Sequence, residues 1–321
     1  MEIVAVDIGG THARFALAEV EGGRVLSLGE PVKLKTAEHA SFKTAWSAYA
    51  QMLGRPIPRH AGIAVATPIG AATLKFTNNP WTIQPATLDE TLGIDSHVLV
   101  NDFAAVAHAV ARLPDDAFQH VCGPDVPLPE KGPISILGPG TGLGVAQLLR
   151  TGYGYHVIAT EGGHIDFAPV DSIEDAILVR LRQRYRRVSV ERIVCGPGLV
   201  NIYEALAAVE NRPMLVRDDK SLWAAALEGS DDLAVAAFDR FCLSFGTVAG
   251  DIALAQGGQA VVIGGGIGQR IADRLPHSGF AQRFTAKGRF EAMMAGIPVK
   301  LILHPEPGLF GAAAAFSREH G

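Results

Sequence analysis

At 321 residues the chain is too long for one small core, and the usual domain size of about 100–200 residues predicts two domains. Hydrophobic residues at 48% and charged residues at 19% exclude a disordered tail, and a net charge of −5 supplies no basic surface for nucleic acid. Cys122, Cys195 and Cys242 are far apart and form no C-x-x-C pair, which argues against a disulfide framework and for a reducing compartment, the cytoplasm.

The first apolar run, residues 3–8, is interrupted by Asp7, which also spoils a secretory signal. It meets the turn Gly9-Gly10-Thr11 and continues into strand-like runs at 14–20 and 25–28. A helix is predicted over 42–53, a buried strand over 61–66, and a further strand over 97–100 that runs into Asn101 and Asp102. The alanine-rich helix 103–111 follows, and prolines at 114, 124, 127, 129 and 133 mark a loop and a domain boundary.

Strand, turn and strand recur over 134–149, so the chain reads as two related halves. Helices are predicted at 174–187 and 199–209. Five arginines between 180 and 187 are expected as solvated charge near a helix C-terminus. The apolar stretch 238–255 carries Asp239, Arg240 and Asp251, which predicts a buried core helix and no membrane span. A strand at 260–263 enters Gly264-Gly265-Gly266, another covers 299–303, and a final helix at 310–316 packs back on the first domain. The alternation predicts an α/β fold: a small domain over 1–112, completed by a C-terminal helix at about 304–321, and a large domain over 113–303.

Three glycine turns follow apolar strands: Asp7-Ile8-Gly9-Gly10-Thr11, Gly138-Pro139-Gly140-Thr141-Gly142-Leu143-Gly144, and Gly264-Gly265-Gly266-Ile267-Gly268. Such turns let backbone N–H groups converge on phosphate oxygens. None fits G-x-G-x-x-G, and no G-x-x-x-x-G-K-[ST] occurs, which leaves a hairpin-type phosphate clamp. Its nucleotide contacts would be Gly9, Gly10, Thr11, Gly140, Thr141, Gly142, Gly264, Gly265 and Gly266. Asp7 ends a buried strand, where a carboxylate needs a cation or hydrogen bonds. Mg²⁺ on nucleotide phosphates, held through waters, would meet that need; an aspartate that only stabilises the turn is the alternative.

These pieces, together with Asn101-Asp102-Phe103, Glu161-Gly162-Gly163-His164, residues 163–169 and Gly196-Pro197-Gly198-Leu199, resemble the bacterial glucokinase family in order and spacing across nearly the whole chain. The resemblance implies a two-domain actin-like ATPase (ribonuclease H-like) fold with an interdomain cleft that binds ATP and glucose. It also implies a homodimer, and transfer of the ATP γ-phosphoryl group to the glucose 6-hydroxyl, the first step of glucose catabolism, with closure excluding water.

Asp102 lies where strand gives way to helix, so it is either an N-cap or a general base, and the resemblance implies the base. Asn101 beside it would contact the sugar. Glu161 and His164 flank two glycines and can hydrogen-bond adjacent sugar hydroxyls; zinc would need further ligands, and no cysteine cluster follows. Glu191 reads locally as a first-turn glutamate behind Ser189, and the resemblance makes it a third acidic sugar ligand. Thr77, Asn78 and Trp81 resemble a family stretch lining the same pocket, with Asn78 as a sugar contact. His12 stands where the family commonly has Asn, and Pro139 where it often has a small residue. A kinase for another hexose or amino sugar, or a catalytically silent sugar-binding regulator, is the alternative.

Overall fold

A computed structural model describes residues 1–76, 79–214 and 218–321. β1 (Glu2–Ile8) and β2 (His12–Glu21) pair antiparallel around the first glycine turn, and β3 (Arg24–Leu28) and β4 (Val32–Lys35) both pair with β2. α1 (Phe42–Leu53) opens with a capping box in which the side chains of Ser41 and Thr44 accept from each other's backbone N–H groups. β5 (His60–Val65), the two-residue strands β6 (Leu74–Lys75) and β7 (Thr82–Ile83), α2 (Leu88–Leu92), β8 (Ser96–Asn101) and α3 (Asp102–Arg112) follow. The parallel strands β5 and β8 extend β1, giving the order β3-β2-β1-β5-β8.

Next come β9 (Phe118–Cys122), β10 (Gly132–Pro139), β11 (Leu143–Thr151), β12 (Gly154–Thr160), α4 (Ser172–Arg182), α5 (Gly196–Val209), α6 (Asp219–Glu228) and α7 (Asp232–Gln256). β13 (Ala260–Ile263), α8 (Gly265–Arg270), α9 (Phe280–Thr285), α10 (Glu291–Ala295), β14 (Val299–Ile302) and α11 (Pro307–His320) complete the chain. The second sheet runs β12-β11-β10-β13-β14-β9. β10 and β11 form an antiparallel hairpin, and β13 and β14 continue it in parallel, which repeats the plan of the first sheet. Two compact units result: Met1–Pro114 with Tyr155–Ala159 and His304–Gly321, and Asp115–Gly154 with Thr160–Leu303.

In the first unit, alternation along β1 serves two cores. Val4, Val6 and Ile8 join Phe15 against Phe42, Trp46 and Tyr49 of α1, while Ile3 and Ala5 face α3 and α11. α11 approaches α3 so closely that a Cβ at Gly311 would collide with the Ala105 carbonyl. The helix that begins with Asp102 is therefore braced along its length. In the second unit, Phe238, Phe241 and Phe245 of α7 pack with Trp223, Phe280 and Phe284. Among the described residues α7 is the one helix long and apolar enough to cross a membrane, yet 72% of its apolar window lies in this core.

The predicted helix at 174–187 stops at Arg182. Two arginines beyond that point are paired: Arg184 with Glu204, and Arg187, whose Nε donates to Asp166 Oδ1 at 2.6 Å.

His108 of α3 is buried, with Nδ1 3.0 Å from the Tyr155 hydroxyl. Burial first, then the Arg318 and Arg112 guanidiniums, push its imidazole from the ordinary 6.5 down to about 4. The unfolded chain therefore binds this proton more readily than the folded one, so the stability is present above pH 6.5 and drains as pH falls toward 4. From pH 7 to pH 5 the expected loss is about 2 kcal/mol. Urea denaturation at the two pH values should show His108→Gln flattening that difference; an unchanged difference would refute the assignment.

Candidate active site

The first unit places its candidate residues at the carboxyl ends of its parallel strands, the usual ligand edge of an α/β sheet. Gly9 N donates to the His12 carbonyl at 2.9 Å, Thr36 N to the Thr11 carbonyl at 3.0 Å, and Thr36 Oγ1 to the Gly10 carbonyl at 3.0 Å. The end of β4 thus fixes the first turn. His12 Nδ1 lies 3.0 Å from Thr11 Oγ1, and burial, then Lys33, Arg14 and Lys35, push its imidazole below the ordinary range.

Asp7 pairs with Arg14, Oδ2 to Nη1 at 3.1 Å, and Arg14 Nε lies 3.4 Å from Glu306 Oε2. A Cβ at Gly308, in the first turn of α11, would sit 2.8 Å from Asp7 Oδ2, so the positive helix end also faces this carboxylate. Burial pushes the Asp7 carboxyl up while Arg14 opposes it. Burial does the same to Glu306, with Arg14 opposing and Asp7 adding to the rise. Within the chain, then, Arg14 and α11 meet the charge of Asp7. Neither was legible as a partner: Arg14 requires the hairpin register, and α11 returns from the far end of the sequence.

The N-cap of α3 is Asn101, whose Oδ1 accepts from Phe103 N at 2.9 Å and Ala104 N at 3.1 Å. Its Nδ2 group is what remains to donate to a ligand. Asp102 is the first helical residue, with Oδ1 2.8 Å from Phe103 N, so capping does not account for it. The register Ile8↔Val65↔Asn101 sets the first turn and Asp102 on one sheet edge, two strand spacings or about 10 Å apart.

Thr77 and Asn78 lie outside the described residues. Trp81 is 1% exposed and its Nε1 donates to the His39 carbonyl at 2.8 Å, so it is buried in the core of this unit. Asn79, not singled out from the sequence, accepts from Trp81 N at 2.9 Å and reaches the Gly9 carbonyl at 3.5 Å.

In the second unit the other two turns share one sheet edge. Gly140 N donates to the Gly142 carbonyl and Gly196 N to the Gly140 carbonyl, each at 2.8 Å, and Gly264 N donates to the Leu137 carbonyl at 2.9 Å. Gly264-Gly265-Gly266 opens α8 instead of a strand hairpin, and Gly265 needs its positive φ of 79° to do so. By contrast, a Cβ at Gly140 or Gly266 would meet nothing within 4 Å, and neither residue has positive φ. Packing among the described residues gives no reason for glycine at these two positions; Thr141, between Gly140 and Gly142, is exposed.

Glu161 precedes a short 3-10 turn, Gly162–His164, that lies on β11, with Gly163 against the Leu143 carbonyl. The Glu161 and His164 side chains are more than half exposed, 3.9 Å apart at Oε2 and Nε2. Glu191 sits in the turn Val190–Arg192, where Ser189 makes no side-chain cap, and its Oε2 accepts from Leu143 N at 2.9 Å. Phe167 N donates to the Val188 carbonyl at 3.0 Å and Val190 N to the Ile165 carbonyl at 2.9 Å, which draws the segment of Glu191 beside that of His164. Glu161, His164, Glu191 and the second turn thus converge around Leu143.

A glucokinase family model matches residues 4–319, and the glucokinase of Zymomonas mobilis is 65% identical over 320 residues, spanning 100% of this chain and 99% of that one. The chain belongs to the glucokinase family. Its activity is ATP-dependent phosphorylation of glucose. The Caulobacter vibrioides glucokinase is 41% identical over 317 residues, covering 98% and 94% of the two chains. Among solved structures, a glucokinase from an Antarctic psychrotroph matches with a TM-score of 0.84 at 33% identity, over 98% of both chains. A ROK hexokinase from Thermus thermophilus, at 19% identity and a TM-score of 0.64 over 100% and 99% of the chains, shares the actin-like ATPase fold.

Proposed function

We propose that Asp102 is the general base of this glucokinase, accepting the proton of the glucose 6-hydroxyl as that oxygen attacks the γ-phosphorus of ATP. The observation that carries the reading is the placement of Asp102 at the end of β8, with capping delegated to Asn101. In a loose phosphoryl-transfer transition state, positioning matters more than basicity, and a side chain on the first turn of a braced helix is well positioned. Glu161 and Glu191 accept from sugar hydroxyls, His164 and the Asn101 amide donate, and Asn78 completes the sugar contacts. Backbone N–H groups of Gly10, Thr11, Thr141, Gly142, Gly265 and Gly266 hold nucleotide phosphates, while Gly9, Gly140 and Gly264, whose N–H groups donate to the His12, Gly142 and Leu137 carbonyls, shape the turns that present them. The room beside Gly140 and Gly266 supports that assignment.

Among the described residues no three His, Cys, Asp or Glu side chains gather to hold a metal. Asp7, whose Oδ2 pairs with Arg14, would hold through waters a hydrated Mg²⁺ carried on the nucleotide. When bound, Mg²⁺ neutralises charge on the phosphoryl oxygens. We place the enzyme in the cytoplasm at the entry to glucose catabolism, as a homodimer.

A coupled ATP-consumption assay over glucose, mannose, fructose and N-acetylglucosamine tests the sugar assignment. The expected result is a strong preference for glucose; turnover stimulated by no sugar would sink it.

A further inference from the structure

Glu191 stands between the two ligand regions of the second unit. Its Oε2 accepts the Leu143 N–H at 2.9 Å, where β11 leaves the second glycine turn, and a Cβ at Gly142 would collide with that same oxygen. Oε1 has no hydrogen-bond partner among the described residues. The backbone of Glu191 is tied to the other sugar candidates: Val190 N donates to the Ile165 carbonyl, and Ser189 forms a bridge with Asp166, two residues beyond His164. Leu143 is the hinge of the arrangement. Its N–H is held by Glu191 and its carbonyl abuts Gly163, within the sugar motif.

We propose that Glu191 is a positioning residue as well as a sugar ligand. Oε2 sets the shape of the phosphate-binding turn through Leu143 N–H, while Oε1 takes a sugar hydroxyl, so that one carboxylate couples sugar occupancy to nucleotide affinity. A sugar that draws the carboxylate toward itself changes the hydrogen bond at Leu143 and with it the turn Gly140–Gly144. By linkage the effect is reciprocal: nucleotide in the turn must alter glucose affinity by the same factor. The inference rests on the sugar and phosphate roles proposed above.

Calorimetric titration of glucose, and of a non-hydrolysable ATP analogue with and without glucose, separates the possibilities. Wild type should show coupling in the range of about 5–150-fold. Gly142→Ala, which displaces the carboxylate without touching sugar, should weaken glucose about tenfold, the effect of losing about one hydrogen bond to a charged group, and should bring the coupling close to unity. In Glu191→Gln the amide oxygen still accepts from Leu143 N–H, so coupling should survive alongside weaker glucose binding, whereas Glu191→Ala should lose both. Thermal melts check folding, and if Gly142→Ala does not fold, the contrast between Glu191→Gln and Glu191→Ala carries the test. Unchanged glucose affinity in a folded Gly142→Ala, equal coupling in the two Glu191 variants, or no coupling in wild type overturns the proposal. A wild-type protein that binds no glucose at all overturns the sugar site itself.

Discussion

Asp102→Asn is expected to lower kcat by about 10²–10⁴-fold, the usual contribution of a general base, while glucose affinity changes only a few-fold. The substitution is close to isosteric. An amide oxygen at this position can still accept from Phe103 N, as Asp102 Oδ1 does at 2.8 Å, and the N-cap role of Asn101 is untouched. α3 should therefore start where it does now, and the melting temperature should stay within a few degrees. What the variant loses is a group able to take the proton from the attacking hydroxyl, so the loss must fall on kcat and kcat/KM together and not on KM. Steady-state kinetics beside a thermal melt decide the matter. If the fall is mostly in KM, Asp102 binds sugar without serving as its base.

Most of the fold could be read from apolar periodicity. The helix expected at 42–53 is α1, and the strand at 260–263 is β13. The repeated strand-turn-strand plan reappears as two sheets of matching order. What escaped the sequence is what depends on register or on distant chain segments. The ion pair of Asp7 with Arg14 needs the β1–β2 pairing that sets these residues opposite each other, and Glu306 reaches Arg14 from some 290 positions away. β12 has His156 after Tyr155 and an apolar stretch of only three residues, Val157–Ala159, so no run of strand length announces it. The third glycine turn illustrates a limit of motif reading. Its glycines look like those of the first two turns, yet Gly264 starts a helix, because β13 is an inner parallel strand whose neighbours on both sides are already in place. At the site, local pattern left Asp102 evenly divided between cap and base, and the structure gives the N-cap to the neighbouring Asn101. Local pattern showed Glu191 as a helix-start glutamate and the resemblance implied a sugar ligand, but its bond to Leu143 N, which joins residues 48 positions apart, was not legible.

Gly140→Ala is expected to weaken nucleotide binding by about 10–100-fold, the equivalent of one or two charge-assisted hydrogen bonds, with stability changed by no more than about 0.5 kcal/mol. The reasoning turns on a contrast within a single turn. At Gly138 a Cβ would run into the backbone of Gly264, so glycine there is demanded by the packing of the second turn against the start of α8. At Gly140 the same added atom meets nothing within 4 Å, and the backbone needs no positive φ. A methyl group at Gly140 therefore costs the unliganded protein little and instead occupies the space through which a phosphate would approach the backbone N–H groups. Gly138→Ala should do the reverse, lowering the melting temperature through overpacking that costs about 1–3 kcal/mol. Titration of a non-hydrolysable ATP analogue, paired with thermal melts of both variants, distinguishes a ligand cradle from a packing constraint. Unaltered nucleotide affinity in Gly140→Ala would mean that phosphate does not pass over this turn, and the donors would then have to be sought at Gly9–Thr11 and Gly264–Gly266.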